Sequence, residues 1–453
     1  MNTKTYIVGK DAPLEDTIEK ATTLLSDMGL EVEPVSWLNP APNCWSVHLQ
    51  ASSCHHLYTN GKGTSRQASL ASGLGEFFER LSTNYLFSDY YLGYKSKEQR
   101  FFYYPDECWF PAELDGGIPQ YNSQDIELLN PSLNHYYNPQ DELCFNHLVD
   151  NNIESENPAI CALPFKSLTT DDRTYFPVSI LNNLYVSNGM AAGNSVEECC
   201  SQALSEIIER YVKNIIISKG ISLPDVPVSH LRKYPKLYSI LKSLRAHRIM
   251  AMVKDASLGG KFPVICVLLA DEESGGVFAA FGANCRFEIA IERTLTELLQ
   301  GRSTEELKKF QPPCHDIELV ADPINLESHF VDSDGLLFWN MFADEPDYSF
   351  TPWDFTGTSK QEFVRLQNII TQRNFEIFRA EYLHTGIYSC RMVVPGMSEI
   401  YPVDDLVWNN RNSGNFIRSL LPKMDRMDID ELIKLLALLE SENLNDQQLI
   451  SHT

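Results

Sequence analysis

Residues 72–80 read SGLGEFFER, a stretch in which Ser72, Glu76 and Glu79 follow helical spacing and Arg80 ends the pattern. On a helix, residues at i, i+4 and i+7 lie along one face. The three residues are therefore predicted to share a face, while the apolar residues between them point into a core. A single stretch of this kind is typical of a solvated, salt-bridged helix face, which contributes only ~0.2–0.5 kcal/mol per ion pair.

Two later stretches repeat the pattern, QALSEIIER at residues 202–210 and RTLTELLQGR at residues 293–302. The aligned residues are Gln202, Glu206, Glu209 and Arg210 in the second copy, and Arg293, Glu297, Gln300 and Arg302 in the third. Their spacing predicts three helices, over roughly 65–87, 195–218 and 287–302.

Glycines precede the helices at similar distances. Gly63 and Gly193 each lie 13 residues before the first glutamate of their copy, Glu76 and Glu206, and Gly282 opens the third copy with looser spacing. Each unit is therefore predicted to be a strand, a glycine-containing turn and a helix with charge on one face. The sequence predicts a mixed α/β (α+β) fold built from internally repeated units.

If the three helices converge, their carboxylates meet several arginines. Mg²⁺ is the natural ligand of such a set, because it is hard, prefers oxygen and is usually held by a few carboxylates together with phosphate oxygens. The arginines suit phosphate through bidentate pairing. The pattern therefore favours a phosphoryl-transfer site, and repetition weakens the alternative of a solvated helix face. Gly9-Lys10, Gly61-Lys62 and Gly260-Lys261 all lack the upstream glycine of a P-loop, so the nucleotide site is of another kind.

Composition narrows the class of protein. The chain has 453 residues and a net charge of −24, which argues against binding to a nucleic-acid backbone. Its 11 cysteines form no CxxC pair, a usage that favours a reduced, cytoplasmic setting. Cys54-His55-His56 lacks a second cluster at ligand spacing. The first residues lack the apolar segment of a signal peptide, and no apolar run reaches the ~20 residues of a membrane span.

Three segments are expected along the chain: residues 1–55 as a strand and helix packed on the core, residues 56–404 as the catalytic domain, and residues 405–453 as a helical tail. Strands are predicted at residues 5–9 and 175–187, and at the apolar runs MAMVKDAS, PVICVLLA and VFAAFGAN. Helices are predicted near residues 234–246 and 360–373, and an amphipathic helix over Ile429 to Leu439. The aromatic, proline-rich residues 90–148 are interpreted as irregular structure packed on a core, or as a substrate-facing surface.

The three copies resemble the nucleotide-binding motifs of the YcaO family, which are SxxxExxER, a variant with Gln and ExxER, and RxxxE. The flanking stretches GKGTSRQASLASGLGEFFERLSTNY, NLYVSNGMAAGN and VVPGMSEIYP also resemble enterobacterial members of this family. The resemblance covers nearly the whole chain, and it implies a YcaO-type fold around a nucleotide site.

The resemblance implies an ATP- and Mg²⁺-dependent enzyme that acts on peptide backbones. In this chemistry an amide oxygen attacks the γ-phosphate, and loss of phosphate drives azoline, thioamide or amidine formation. The implied metal ligands are Glu76, Glu79, Glu198, Glu206, Glu209 and Glu297. The implied nucleotide contacts are Lys10, Thr17, Ser72, Asn194, Gln202, Arg210 and Arg293, with Thr17 standing where relatives have Ser. Glu76, Glu206 and Arg293 are the implied catalytic residues.

Within the family, the chain resembles a subgroup that accompanies β-methylthiolation of an aspartate on a small-subunit ribosomal protein. Its end, NDQQLISHT, differs from the proline-rich C-terminus of azoline-forming members. This subgroup implies a radical-SAM methylthiotransferase and a ribosomal protein as partners, a homodimer, and neither membrane nor direct nucleic-acid binding. Two alternatives stay open: a peptide cyclodehydratase or thioamide-forming enzyme, and a non-catalytic nucleotide-binding adaptor.

Overall fold

The computed structural model describes residues 4–86, 104, 106–111, 128–141, 143–148, 159–182, 184, 187–303, 306, 310–331, 335–399, 424 and 426–441. The chain divides into two compact units. The first comprises Met1–Glu79, Ala191–Phe375 and Gly386–Ser389. The second comprises Arg80–Met190, Glu376–Thr385 and Cys390–Thr453.

Helices and strands are interspersed along the described part of the chain. The helices are α1 (Leu14–Asp27), α2 (Arg66–Ser82), α3 (Pro131–Tyr137), α4 (Phe145–Leu148), α5 (Val178–Asn182), α6 (Val196–Lys219), α7 (Val228–Leu231), α8 (Pro235–Ala246), α9 (Phe287–Leu298), α10 (Ile317–Val320), α11 (Pro323–Val331), α12 (Ser359–Thr371) and α13 (Ile429–Ser441). The strands are β1 (Val32–Ala41), β2 (Cys44–Ala51), β3 (Cys54–Gly63), β4 (Cys108–Pro111), β5 (Ala159–Ser167), β6 (Arg173–Pro177), β7 (Met190–Gly193), β8 (Ile249–Asp255), β9 (Val264–Asp271), β10 (Val277–Ala283), β11 (Phe378–Tyr382) and β12 (Tyr388–Val393).

Two three-stranded antiparallel sheets belong to the first unit, in the orders β1-β2-β3 and β10-β9-β8. A larger sheet has the order β4-β5-β11-β12-β7, with β6 paired to β5. The strands that precede the three motif helices, β3, β7 and β10, each lie at an end of their sheet. Each motif helix therefore leaves from an edge strand.

Each unit has its own apolar core. In the first, strands β8, β9 and β10 pack with helices α8 and α9 around Phe287, Ile265 and Leu244, which are almost fully buried. In the second, Phe165, Phe176 and other apolar residues fill the core. Strand β9 is buried almost throughout, which explains its nearly continuous apolar sequence.

Most predicted elements are confirmed, and four expectations are wrong. The first motif helix ends at Ser82 instead of near residue 87. Residues 5–9 form no strand. Residues 175–187 begin as β6 and continue as the short helix α5 instead of one long strand. The third motif helix ends at Leu298, four residues early, and Gly301 follows with a φ of 68°. A φ in this region favours glycine and ends helices.

The aromatic stretch and the C-terminal helix are only partly included in the described residues. Tyr104 and Phe110 are buried in the core of the second unit, as expected for the aromatic stretch, although most of residues 90–127 lie outside the described residues. The predicted C-terminal helix is formed as α13, but Ile429 and Ile433 on it are 76% and 58% exposed. None of the helices in the described part of the chain combines the length and apolar composition needed to span a membrane.

Candidate nucleotide and metal site

Two strand glycines lie directly against the backbone of the helix that follows them. Gly61 on β3 and Gly282 on β10 have no room for a Cβ atom. In both cases the added atom would overlap a carbonyl oxygen eight residues later and an amide nitrogen twelve residues later. These atoms are Ser69 O and Gly73 N in the first copy, and Ala290 O and Thr294 N in the third. The two glycines therefore hold equivalent positions in the repeated unit.

This equivalence corrects the looser spacing expected for the third copy. Gly61 and Gly282 each precede their glutamate, Glu76 and Glu297, by 15 residues. In the second copy Ala191 holds this position, 15 residues before Glu206. The match of Gly63 with Gly193 also holds, since each packs against the helix backbone six residues further on. Glu76, Glu206 and Glu297 are thus the same position of one unit.

The motif helices separate polar and apolar faces as predicted. Most of the motif polar residues are half-buried, Glu198 is buried and Glu297 is exposed. The apolar residues between them are at most 3% exposed: Leu74, Phe77, Leu204, Ile207, Leu295 and Leu298. The apolar side anchors each helix in a core, so the polar stripe is held on a fixed backbone.

Residues from the beginning of the chain meet the N-terminus of α6. Lys10 Nζ donates to Glu198 Oε1 at 3.0 Å, and the backbone nitrogen of Asp11 donates to Glu198 Oε2 at 2.9 Å. Asn194 Nδ2 lies 3.2 Å from Glu198 Oε2, and its Oδ1 accepts from Thr17 Oγ1 at 3.1 Å. The structure therefore brings together Lys10, Thr17, Asn194 and Glu198, which the sequence motifs alone do not connect.

Asp11 holds this corner in place. Its carboxylate accepts hydrogen bonds from the hydroxyls of Ser195 and Ser359, the second at 2.6 Å. Ser195 is also the N-cap of α6, where its side chain accepts from Glu198 N. Asp11 thus ties the N-terminal segment to α6 and α12, and sequence reasoning missed it.

The next turn of α6 is joined to α9. Arg293 Nη1 donates to Gln202 Oε1, and both side chains are half-buried. A neutral amide oxygen orients the guanidinium without neutralising it, so Arg293 keeps its charge and its remaining donors for an anion.

A lysine lies among carboxylates of all three copies. Lys62 Nζ on β3 forms an ion pair with Glu297, and its side chain is 24% exposed. Burial lowers the pKa of the Lys62 ammonium to about 8, and the positive charge of Arg293 acts in the same direction. Three carboxylates oppose this lowering of the pKa: Glu209, Glu76 and Glu206. In the sequence, Gly61-Lys62 stands out only as a pair that lacks the upstream glycine of a P-loop. Nothing in the sequence pattern indicates that Lys62 lies near these carboxylates.

Glu209, the last glutamate of the polar face of α6, is held in place by a backbone hydrogen bond. Glu209 Oε2 accepts from the backbone nitrogen of Ala283 on β10 at 3.1 Å. Burial raises the pKa of Glu209, whereas the charges of Arg293 and Lys62 lower it. One turn earlier, Glu206 Oε1 lies 3.1 Å from Arg210 Nη2.

The polar residues of the first copy lie on α2. Ser72 and Glu79 are half-buried on α2, one turn before and one turn after Glu76. Arg80 places its guanidinium over the ring of Tyr85, 4.2 Å from the centroid. In the third copy, Gln300 lies beyond the end of α9 and donates to Asn60 O at 2.6 Å, so it is a structural link between α9 and β3.

The donor set fits a hard divalent cation and a polyphosphate. Its acidic members offer only oxygen, which Mg²⁺ prefers. Glu206 Oε1 is buried beside the Arg210 guanidinium, 3.1 Å from Nη2, and a metal ion bound to this oxygen would replace that contact. Within those residues no three His, Cys, Asp or Glu side chains are grouped tightly enough to hold one ion by themselves. Mg²⁺ is usually held by a few carboxylates together with the phosphate oxygens of a bound nucleotide.

The class of protein follows from this fold and its motifs. Residues 60–398 match the family described as YcaO cyclodehydratase, ATP- and Mg²⁺-binding. The chain belongs to the YcaO family, and the ATP and Mg²⁺ expected from the motifs are the ligands named for that family.

Particular relatives are similar over almost the full chain. The chain is 44% identical over 446 residues to the ribosomal protein S12 methylthiotransferase accessory factor YcaO of Escherichia coli (strain K12). It is 44% identical over 448 residues to an uncharacterized protein of Haemophilus influenzae. Each match covers 98% of this chain and 75% of the relative.

Solved structures confirm the predicted fold. The YcaO protein from Methanopyrus kandleri bound with AMPPCP and Mg²⁺ matches with a TM-score of 0.53 at 16% identity, covering 88% of this chain and 95% of that protein. A heterocyclase in complex with substrate and cofactor matches with a TM-score of 0.55 at 18% identity, covering 88% of this chain and 54% of that protein. At these identities the likeness is one of fold.

Proposed function

We propose that the chain is an ATP- and Mg²⁺-dependent enzyme that activates a backbone amide by phosphorylating its oxygen. It acts as an accessory factor in β-methylthiolation of a small-subunit ribosomal protein. The observation that carries the proposal is the meeting of equivalent residues from the repeated units: Arg293 bound to Gln202, and Glu297 bound to Lys62 beside Glu76 and Glu206. A solvated helix face needs no such convergence.

Each site residue receives a role in this proposal. Metal ions are held by Glu76, Glu79, Glu198, Glu206, Glu209 and Glu297. The nucleotide is contacted by Lys10, Thr17, Ser72, Asn194, Gln202, Arg210 and Arg293. Glu76, Glu206 and Arg293 take part in catalysis. When bound, Mg²⁺ neutralises phosphate charge and orients the phosphoryl group for in-line attack.

The residues of the chain contribute mainly position and charge. In the proposed reaction the amide oxygen attacks the γ-phosphorus of ATP, the bond from that phosphorus to the bridging oxygen breaks, and ADP leaves with the electron pair. Arg293, fixed by Gln202, stabilises the negative charge on the transferring group. Burial raises the pKa of Glu209, and charge interactions at such a poorly solvated position are stronger than in bulk water.

Glu198 differs from the other proposed metal ligands. Both of its oxygens already accept hydrogen bonds, from Lys10, Asp11 and Asn194. Binding a metal through Glu198 therefore requires Lys10 to release it, and a nucleotide phosphate is the natural new partner for the ammonium.

The setting of the reaction is proposed from the E. coli relative, whose name refers to methylthiotransfer on ribosomal protein S12. The proposed partners are a radical-SAM methylthiotransferase and the ribosomal protein, in the cytoplasm, with the chain as a homodimer. These partners are compatible with a net charge of −24, since ribosomal proteins are basic.

The decisive experiment measures phosphate release from Mg²⁺-ATP by the wild type and by Glu206→Gln. We expect a loss of about 10²-fold or more, because the carboxylate that binds metal becomes a neutral amide. Glu288→Gln, which changes an exposed carboxylate at the start of the third motif helix α9, is the control and should release phosphate at the wild-type rate. Equal rates for Glu206→Gln and wild type contradict the metal assignment.

The same assay separates the alternatives. A wild-type chain that binds AMPPCP but releases no phosphate from Mg²⁺-ATP is a nucleotide-binding adaptor. Stimulation of phosphate release by a ribosomal-protein peptide supports the accessory role, whereas stimulation only by cysteine- or serine-containing peptides, with loss of water from the peptide, identifies a cyclodehydratase.

A further inference from the structure

Lys62 is distinguished by its position in the repeat. Counting from the equivalent residues Gly61, Ala191 and Gly282, the next residue is lysine in the first copy and alanine in the other two. These alanines are Ala192 and Ala283. The fold therefore accepts alanine at this strand position, and the lysine reflects a demand of the site.

The backbone around Lys62 is hydrogen-bonded to the residues that directly follow α9. Asn60 O accepts from Gln300 Nε2 at 2.6 Å, and Ser46, which pairs with Lys62 across β2 and β3, accepts from Gly301 N at 3.2 Å. The fixed backbone of β3 therefore positions the Lys62 ammonium beside Glu297.

Lys62 interacts electrostatically with the equivalent glutamates of all three copies. Its ammonium is paired with Glu297, and the charges of Glu76 and Glu206 act on it. Glu209 adds a fourth negative charge. One ammonium therefore offsets carboxylates from three helices that would otherwise repel one another.

We propose that Lys62 is a built-in counter-cation that competes with the divalent metal for these carboxylates and moves to a nucleotide phosphate when the metal binds. This inference rests on the proposed function, because it assumes that the carboxylates bind metal and that a polyphosphate lies beside them. An ammonium and Mg²⁺ cannot share the same carboxylates without strong repulsion, whereas a phosphate offers the displaced ammonium a charge-assisted hydrogen bond.

The consequence is coupling between the two ligands. Metal alone must displace Lys62 into solvent, and nucleotide alone brings phosphate charge next to four carboxylates. When both ligands bind, the phosphate accepts the displaced Lys62 ammonium, and the metal offsets the repulsion between the phosphate and the carboxylates. Lys62 is in this sense a positioning residue that makes metal and nucleotide bind as a pair, and coupling of this kind is reciprocal.

The test measures Mn²⁺ binding by electron paramagnetic resonance, with and without AMPPCP, so that no turnover is involved. In wild type we expect AMPPCP to raise Mn²⁺ affinity by about 10- to 100-fold. In Lys62→Ala we expect tighter Mn²⁺ binding without nucleotide, weaker AMPPCP binding, and coupling reduced to about threefold or less. Lys62→Arg keeps the charge and should keep weak Mn²⁺ binding without nucleotide.

Lys166→Ala is the matched control, since Lys166 is also an ion-paired strand lysine, 2.6 Å from Asp171, outside the site. Its Mn²⁺ and AMPPCP affinities should equal those of wild type. Lys62→Gln, checked by thermal unfolding, serves if Lys62→Ala does not fold.

The outcomes are distinct. Mn²⁺ affinity without nucleotide that is unchanged or weaker in Lys62→Ala and Lys62→Gln overturns the counter-cation role, even where wild type binds both ligands. Failure of wild type to bind Mn²⁺ in the presence of AMPPCP overturns the proposed function, and the inference with it.

Discussion

Arg293 on α9 donates a hydrogen bond to Gln202 on α6, and the two residues hold the same position in different copies of the repeated unit. Each lies four residues before its glutamate, Glu297 or Glu206. Duplication has thus placed two versions of one position face to face, with a guanidinium on one side and an amide on the other. The contact joins the second and third copies at the polar stripe where phosphate is proposed to bind.

This contact predicts that Arg293→Lys weakens nucleotide binding although the charge is kept. Lysine cannot form the planar fork of donors that bonds Gln202 and a phosphate at once. We expect the dissociation constant for AMPPCP to rise about tenfold or more by calorimetry, and phosphate release to fall. Arg245→Lys, at the end of α8, should leave both quantities unchanged. Wild-type affinity in Arg293→Lys would contradict the phosphate role of Arg293.

The strand glycines predict opposite effects of the same substitution. Gly282→Ala places a Cβ atom against Ala290 O and Thr294 N, which belong to the backbone of α9 and cannot move aside easily. Overpacking of this kind costs about 1–3 kcal/mol. Gly75→Ala on α2 meets nothing within 4 Å and should stabilise the helix by up to about 1 kcal/mol. Guanidinium unfolding of both variants measures the difference.

The order of these two effects tests the assignment of equivalent positions. If Gly282→Ala were as stable as Gly75→Ala, the close packing of β10 on α9 would be wrong. Gly61→Ala should resemble Gly282→Ala, because its Cβ atom meets equivalent backbone atoms of α2.

A buried histidine predicts loss of stability in mild acid. His329 on α11 is 1% exposed, and burial, assisted by the charge of Lys213, lowers its pKa to about 4. The unfolded chain binds the proton near the ordinary pKa of about 6.5. Between these values the unfolded state binds more protons, so the stabilising contribution of neutral His329 is complete above pH ~6.5 and falls as the pH drops toward 4.

Guanidinium unfolding at pH 7.5 and pH 5 measures this term. His329→Gln should lose less stability than wild type on going to pH 5, by about 1–2 kcal/mol. His247→Gln, an exposed histidine at the end of α8, should follow the wild-type pH dependence. A wild-type pH dependence in His329→Gln would show that another group is responsible.

The helices and the polar stripe could be predicted from sequence because both depend on local periodicity. Ser72, Glu76 and Glu79 follow from spacing alone. The register of the third copy could not be obtained in this way, since Gly61 and Gly63 are only two residues apart and packing decides which one Gly282 matches. The sequence pattern does not show where α9 ends, because Gly301, which adopts positive φ, lies inside the motif stretch 293–302.

The remaining parts of the site depend on contacts between distant residues. Asp11 bonds Ser359 across 348 positions of the chain, and Lys10 bonds Glu198 across 188. Periodicity carries no information about such pairs. The sequence does distinguish Lys62 in one way, because the equivalent positions in the other copies are Ala192 and Ala283. This difference can be seen only after the three copies are aligned, and the alignment depends on the packing of the glycines.

The contact between Thr17 and Asn194 predicts how the N-terminal corner tolerates substitution. Thr17 Oγ1 lies 3.1 Å from both Pro13 O and Asn194 Oδ1, so the hydroxyl rather than the methyl group joins α1 to the loop before α6. Thr17→Ser keeps this hydroxyl and should bind AMPPCP with wild-type affinity. Thr17→Val keeps the shape but removes the donor, which leaves Asn194 free to turn away from Glu198. We expect the dissociation constant for AMPPCP to rise about three- to tenfold, the worth of one hydrogen bond.

Thr22→Val, on the same helix but exposed and bonded only to Ile18 O among the described residues, is the control. Equal affinities for Thr17→Val and Thr17→Ser would show that Thr17 does not position the nucleotide site.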